Sequence, residues 1–214
     1  LDTRLRAGDY NVGVSYELGE GESAYRNREQ FPVTIVPREL PHRMPVVMWG
    51  VGGTKQVTEN TAALKDIGFT HCLGLRCGYD AIWDAGEPVP AEGEDALLDS
   101  YRMLDQALAD DLGIVISVGN GHWMDGKPDL LRVNAEGTVY ERVNPCCQTP
   151  GVVDFSRNVG ASIAQSYGDF PAFEAALVNS EVRDSSQVCF HEHDRAAYRA
   201  ATGKEYPDAV RIKN

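Results

Sequence analysis

Four short apolar runs limit what this chain can become. They occupy residues 46–51, 71–76, 114–118 and the stretch that opens at Ala172 and turns polar after Val178. Each has the length of a strand. Most are continuously apolar rather than alternating, as strands buried on both faces are. Helical spacing follows each run, at residues 58–67, 94–112, 155–167 and 188–202. The second of these helices places Leu97, Leu98, Tyr101, Leu104, Leu108 and Leu112 on one face, the stripe a helix turns to a core. In the first helix the apolar residues Ala62, Ala63, Leu64 and Ile67 fall near helical spacing. Gly68, Gly113 and Gly203 stand where three of the helices stop, and Asp154 stands as a cap before the third.

Strand–helix alternation with buried strands implies a parallel sheet with helices packed on it. A doubly wound sheet and a barrel both satisfy the pattern. A complete (β/α)8 barrel takes about 250 residues, so four strand–helix units amount to about half of one. The expected fold is α/β, the first half of a TIM-like barrel, strands one to four, over residues 46–214. Residues 1–36 read as the last strands of a β-sandwich domain. Residues 10–18 alternate with period 2, and residues 30–36 are rich in β-branched side chains, with Pro32 marking an edge or a strand start. Residues 37–45, punctuated by three prolines, read as a linker.

Two segments read as loops, 80–93 and 119–150. The second is long enough to serve a site, and residues 131–140 within it fit a hairpin around Asn134-Ala135-Glu136-Gly137.

Charge narrows the partners. The 214 residues carry a net charge of -12, with a sequence pI of about 4.8. Nucleic acid and anionic membrane surfaces both need a basic face. No apolar run approaches the roughly 20 residues of a membrane span. The N-terminus has neither a charged leader followed by an apolar run nor an initiator Met, so a fragment or processed chain is expected and the compartment is not legible. Five cysteines are an odd number and too few for a disulfide scaffold of this length. Gly50-Val51-Gly52-Gly53 lacks the spacing of a phosphate loop or a dinucleotide fingerprint. No Gly-x-Ser-x-Gly nucleophile elbow is present.

In a barrel, polar residues at the C-terminal ends of strands converge on one face. Trp49 ends the first run, Arg76 the second, and Asn120, His122 and Trp123 follow the third. Aromatic faces stack on sugar rings, and Arg or Asn binds hydroxyls. The fourth run ends in Asn179-Ser180-Glu181. Glu181 fits an acid/base carboxylate whose pKa a closed strand-end pocket would raise. Asn179 and Ser180 are placed to hold a hydroxyl beside it.

Residues 140–210 resemble the middle of a family-42 type β-galactosidase of clan A. The likeness rests on Cys146-Cys147-Gln148-Thr149-Pro150, on Tyr167-Gly168-Asp169-Phe170-Pro171, on Asn179-Ser180-Glu181, and on Cys189-Phe190-His191-Glu192-His193-Asp194-Arg195. It implies a retaining glycosidase acting on a carbohydrate substrate, with Glu181 as acid/base. The nucleophile then comes from a later strand, so the chain's partner is the remainder of its own barrel, and the isolated piece is inactive. The family has Asn directly before its Glu, where this chain has Ser180. The resemblance also implies a structural zinc on Cys146, Cys189, His191 and Asp194, required by no step of the chemistry. His193 is an alternative to Asp194, and a degenerate site without metal remains open. Cys72 and Cys77 read as core or near-site thiols. Two other functions stay open: a non-catalytic carbohydrate-binding barrel, and a metal-dependent hydrolase using His122 with the Cys/His group.

Overall fold

A computed structural model describes residues 6–18, 25–35, 44–48, 54–178 and 187–207. The chain divides into two compact units. The first comprises Leu1–Leu75, Asp95–Ile116 and Tyr167–Ala175; the second comprises Arg76–Glu94, Ser117–Ser166 and Ala176–Asn214.

The first unit opens with an antiparallel ribbon, β1 (Gly8–Leu18) and β2 (Tyr25–Ile35), in which Val12 faces Phe31 and Val14 faces Glu29. Side chains alternate between faces, so Tyr10, Val12, Val14, Tyr16, Phe31, Val33 and Ile35 share one face. Val14, Tyr16 and Phe31 remain exposed on it. Among the described residues this sheet has two strands; a sandwich is not formed by them. Pro32 sits mid-strand opposite Asn11 rather than at a strand start, which an outer ribbon strand tolerates. Just before the ribbon, the Arg6 guanidinium lies 4.7 Å from the Tyr101 ring centre and 4.5 Å from that of Phe170. The Ala7 N–H donates to the Asp169 carbonyl at 2.9 Å.

After β3 (Val47–Met48), α1 (Thr54–Asp66) and β4 (His71–Gly74), the chain enters the second unit for α2 (Tyr79–Ala85) and returns with α3 (Glu94–Ala109) and β5 (Gly113–Val118). In the second unit α4 (Asn120–Asp125) and α5 (Val152–Tyr167) follow; β6 (Phe173–Val178) then begins in the first unit, which ends at Ala175, and α6 (Glu192–Thr202) lies in the second. The four strands form one parallel sheet in the order β3-β4-β5-β6. The structure therefore has the mixed α/β organisation read from the sequence.

The core of the first unit follows from the apolar runs. Cys72, Ile114 and Ile116 are fully buried, and α3 covers them with Met103, Leu104 and Ala107, also buried. Gly74 makes that contact close: a Cβ there would stand 3.0 Å from the Met103 methyl and 3.1 Å from Ile114. The stripe is narrower than the spacing implied, since Leu98 and, beside α1, Ile67 are exposed while Thr61 and Leu64 are buried. Helix α3 also stops before Leu112. Asp111 takes a left-handed backbone (φ 53), and Leu112 turns inward, fully buried. Asp reaches that conformation more readily than bulky residues, so the turn comes before Gly113, which opens β5 instead.

In the second unit the segment expected as a polar loop over 80–93 begins with α2. Its remainder is held by α5: Ser162 Oγ accepts the Val89 N–H at 3.1 Å and Ser166 Oγ accepts the Ala91 N–H at 2.9 Å. The 119–150 segment is likewise not all loop. It contains α4 and a short 3-10 turn, Pro128–Leu130. The hairpin expected at 131–140 is reduced to a Val133–Val139 bridge. Its turn is as read, with Asn134 Oδ1 accepting the Glu136 and Thr138 N–H groups and Gly137 left-handed.

Candidate metal centre

The loop after the 3-10 turn and the segment before α6 are laced together within the second unit. The Arg132 guanidinium donates to the Pro145 and Gln187 carbonyls at 3.0 and 2.6 Å. The Tyr140 hydroxyl donates to the Val188 carbonyl at 2.8 Å, and the Phe190 N–H donates to that of Val133 at 3.0 Å. Cys146 is fixed by its N–H on the Leu130 carbonyl at 2.7 Å. Cys189 is fixed by the Tyr206 hydroxyl on its carbonyl, also at 2.7 Å.

This lacing brings four donors together. Cys146 and Cys189 are buried, His191 is the extended residue capping α6, and Asp194 lies in its first turn. A ligand atom from each lies within 4.8 Å of those of the other three. Cys146 Sγ is 3.2 Å from Asp194 Oδ2, and Cys189 Sγ is 3.1 Å from His191 Nδ1. His193 adjoins the group as well: its Nε2 lies 3.4 Å from Cys146 Sγ and 3.2 Å from Asp194 Oδ2. Two thiols, an imidazole and a carboxylate in such a group can hold a metal ion.

Without a cation Cys146 holds its proton. The Cys146 thiol is pushed up to about 12, first by burial and next by its hydrogen bond to Asp194; the Gln148 N–H and the Thr149 hydroxyl pull the other way. Thr149 Oγ1 is buried and lacks a well-formed hydrogen bond, so its pull on Cys146 is the weakest of these. A hydroxyl beside sulfur stabilises a thiolate better than a thiol, so this under-satisfied buried donor fits a cation-bound Cys146. Sequence reasoning quoted Thr149 in its motif and gave it no role.

The other site residues fare differently. Trp49, Asn179, Ser180 and Glu181 lie outside the described residues. Arg76 is exposed and has a partner. The Asn120 amide donates to Ser156 Oγ at 3.0 Å. His122 is exposed, 3.4 Å from Asp125, and is not among the metal-binding donors. The Trp123 indole N–H donates to Asp80 Oδ1 at 3.0 Å, and this bond, followed by Lys127, holds the Asp80 carboxyl below its ordinary range. Asn120, His122 and Trp123 thus turn to three different partners, Ser156, Asp125 and Asp80. Cys72 is a core thiol raised to about 11 by burial, and Cys77 is raised to about 11 by burial and by Glu92.

Comparison with protein-family models, with curated proteins and with solved structures returns no significant match to this chain.

Proposed function

We propose that this chain is the first half of the barrel of a retaining glycoside hydrolase, similar to family-42 β-galactosidases, with a structural zinc in its second unit. The observation that carries the reading is the convergence of Cys146, Cys189, His191 and Asp194 within 4.8 Å. The same four follow from the sequence resemblance alone. Cys146 precedes β6 and Asn179-Ser180-Glu181 along the chain, and the other three follow them. A metal held by Cys146 and Cys189 therefore restrains both flanks of the segment that carries Glu181. Four protein ligands leave no open position, so the ion's part is to stabilise the fold, and its binding energy becomes folding energy.

Strand β6 supports a larger sheet. It is apolar, yet Ala175, Ala176 and Val178 are exposed, Val178 at 67%. Parallel strands are ordinarily covered on both faces, and an apolar edge is a liability unless paired. The remainder of the barrel is the proposed cover.

In the proposed mechanism Glu181 protonates the departing glycosidic oxygen while a second carboxylate, from outside these residues, attacks the anomeric carbon. Glu181 then takes a proton from the water that releases the sugar. Asn179 and Ser180 orient a hydroxyl beside the reacting carbon. The test is the purified 214-residue chain assayed for metal and for 4-nitrophenyl β-galactoside hydrolysis. About one zinc per chain and no hydrolysis are expected. Hydrolysis by this piece that is lost in Glu181→Gln would overturn the division of the catalytic pair.

A further inference from the structure

We propose that the second unit carries a separate binding cleft for a single neutral sugar ring, walled by Trp83 and Phe155 and edged by Asp154 and Asn158. The cleft lies between α2 and the start of α5. It holds about 290 Å³ and is lined by Ile82, Trp83, Gly151, Asp154, Phe155 and Asn158, among others. That is near the lower end of ligand pockets, about 300 Å³, and suits one ring rather than a chain of them.

The aromatic wall is already in place. Trp83 meets Phe155 edge-on, with ring centres 5.2 Å apart at 82°, and lies 5.5 Å from Trp123. Trp123 is itself fixed by Asp80 and lies beneath the Lys127 ammonium at 4.6 Å. A wall held this way loses little freedom when a ligand stacks on it. The backbone at Gly151 comes close to one edge of this wall: Gly151 is left-handed (φ +86), and a Cβ there would touch the Trp83 ring edge at 3.8 Å, so the open side of the cleft lies toward Asp154 and Asn158.

The polar edge matches hydroxyls. Asp154 and Asn158 are one helical turn apart and share a face of α5. Arg157 occupies Asp154 Oδ1, which leaves Oδ2 to accept a hydroxyl hydrogen, while the Asn158 amide both donates and accepts. Among the described residues the Asn158 side chain makes no hydrogen bond. A carboxylate beside an aromatic wall would otherwise favour an amine. Here Arg157 already pairs with Asp154 at the exposed surface, which disfavours a second cation there, so the ligand is taken as neutral, with an apolar face for Trp83 and a hydroxyl edge for Asp154 and Asn158. The cleft stands on these residues alone and does not depend on the hydrolase reading.

The test titrates the full 214-residue chain with methyl β-D-galactopyranoside and methyl β-D-glucopyranoside, following tryptophan fluorescence. Two of the three tryptophans belong to the aromatic cluster. A saturable change with at least one glycoside is expected. Asn158→Ala and Asp154→Ala should each weaken binding about tenfold, the worth of one hydrogen bond to a ligand, with the far-ultraviolet circular dichroism unchanged. Asp154→Asn replaces Asp154→Ala if the helix start suffers. No saturable change across the millimolar range, binding that survives both substitutions, or saturation by choline instead of a glycoside would each overturn the proposal.

Discussion

His71 Nε2 lies 2.9 Å from Glu174 Oε2, and both side chains are buried, at 1% and 4% exposure. The two residues belong to β4 and β6, and β5 runs between them. On the other side of the ring, Thr70 Oγ1 lies 2.7 Å from Nδ1 and accepts the Val46 N–H at 2.8 Å. A hydroxyl, an imidazole and a carboxylate thus tie three strands of the first unit together. Truncating one member of a buried pair strands the other in a medium that cannot solvate it. Glu174→Ala should therefore cost roughly 3–5 kcal/mol in denaturant unfolding. Glu174→Gln keeps an acceptor and should cost less.

Gly113 makes that tie possible. It pairs with His71 in the sheet register, and a Cβ there would fall 2.3 Å from His71 Cδ2 and 3.0 Å from Glu174 Cδ. Gly113→Ala should destabilise the chain by about 1–3 kcal/mol, as overpacking does, although its backbone suits any residue. The penalty should shrink in a His71→Ala background, because the clash is with that ring. Equal costs in both backgrounds would show that the ring is not what Gly113 accommodates.

At the proposed metal centre, both His193 and Asp194 lie beside Cys146. Cys146→Ser and Cys189→Ser should each abolish stoichiometric zinc and lower the melting temperature of the zinc-loaded protein to that of the chelated one. Asp194→Ala and His193→Ala separate the two candidates. The true fourth ligand should lose affinity by orders of magnitude, and the other by about 10–100-fold, as a supporting partner does. Isothermal titration against a competing chelator gives both values.

The metal-free protein should respond to alkali in one direction. Cys146 moves from 9.0 to about 12 on folding. The folded state therefore holds that proton more tightly than the unfolded state. This contribution is complete below about pH 9 and is lost as pH rises toward about 12. Unfolding midpoints of the zinc-free chain should fall across that window, and Cys146→Ser should flatten the fall. Zinc addition near neutral pH should release protons, measurable in weak buffer, since Cys146 starts as a thiol.

Much of this was legible because it rests on local pattern. The apolar runs gave four strands and the α/β class. Cys146, Cys189, His191 and Asp194 sat in quotable motifs. What escaped depended on tertiary partners. Helix α2 hid behind Pro88 and Pro90, and Ser162 and Ser166 of α5 decide how the following loop lies. His71 and Glu174 were polar residues inside two apolar runs, and only the sheet order brings them together. Leu98 and Ile67 satisfied helical spacing but face solvent, because spacing names a face without naming what covers it. Trp83 read as one more loop residue until the aromatic cluster gave it neighbours.

The most direct test of the proposed function uses the full-length gene product carrying Glu181→Ala, assayed on aryl and alkyl β-galactosides with and without azide. An acid/base carboxylate is needed most for poor leaving groups and for activating water, and a small anion replaces it in the second step. Alkyl galactoside hydrolysis should collapse, turnover of activated aryl galactosides should recover with azide, and the product should be a β-galactosyl azide. Unchanged hydrolysis of the alkyl substrate, or no azide product, would remove Glu181 from the reaction.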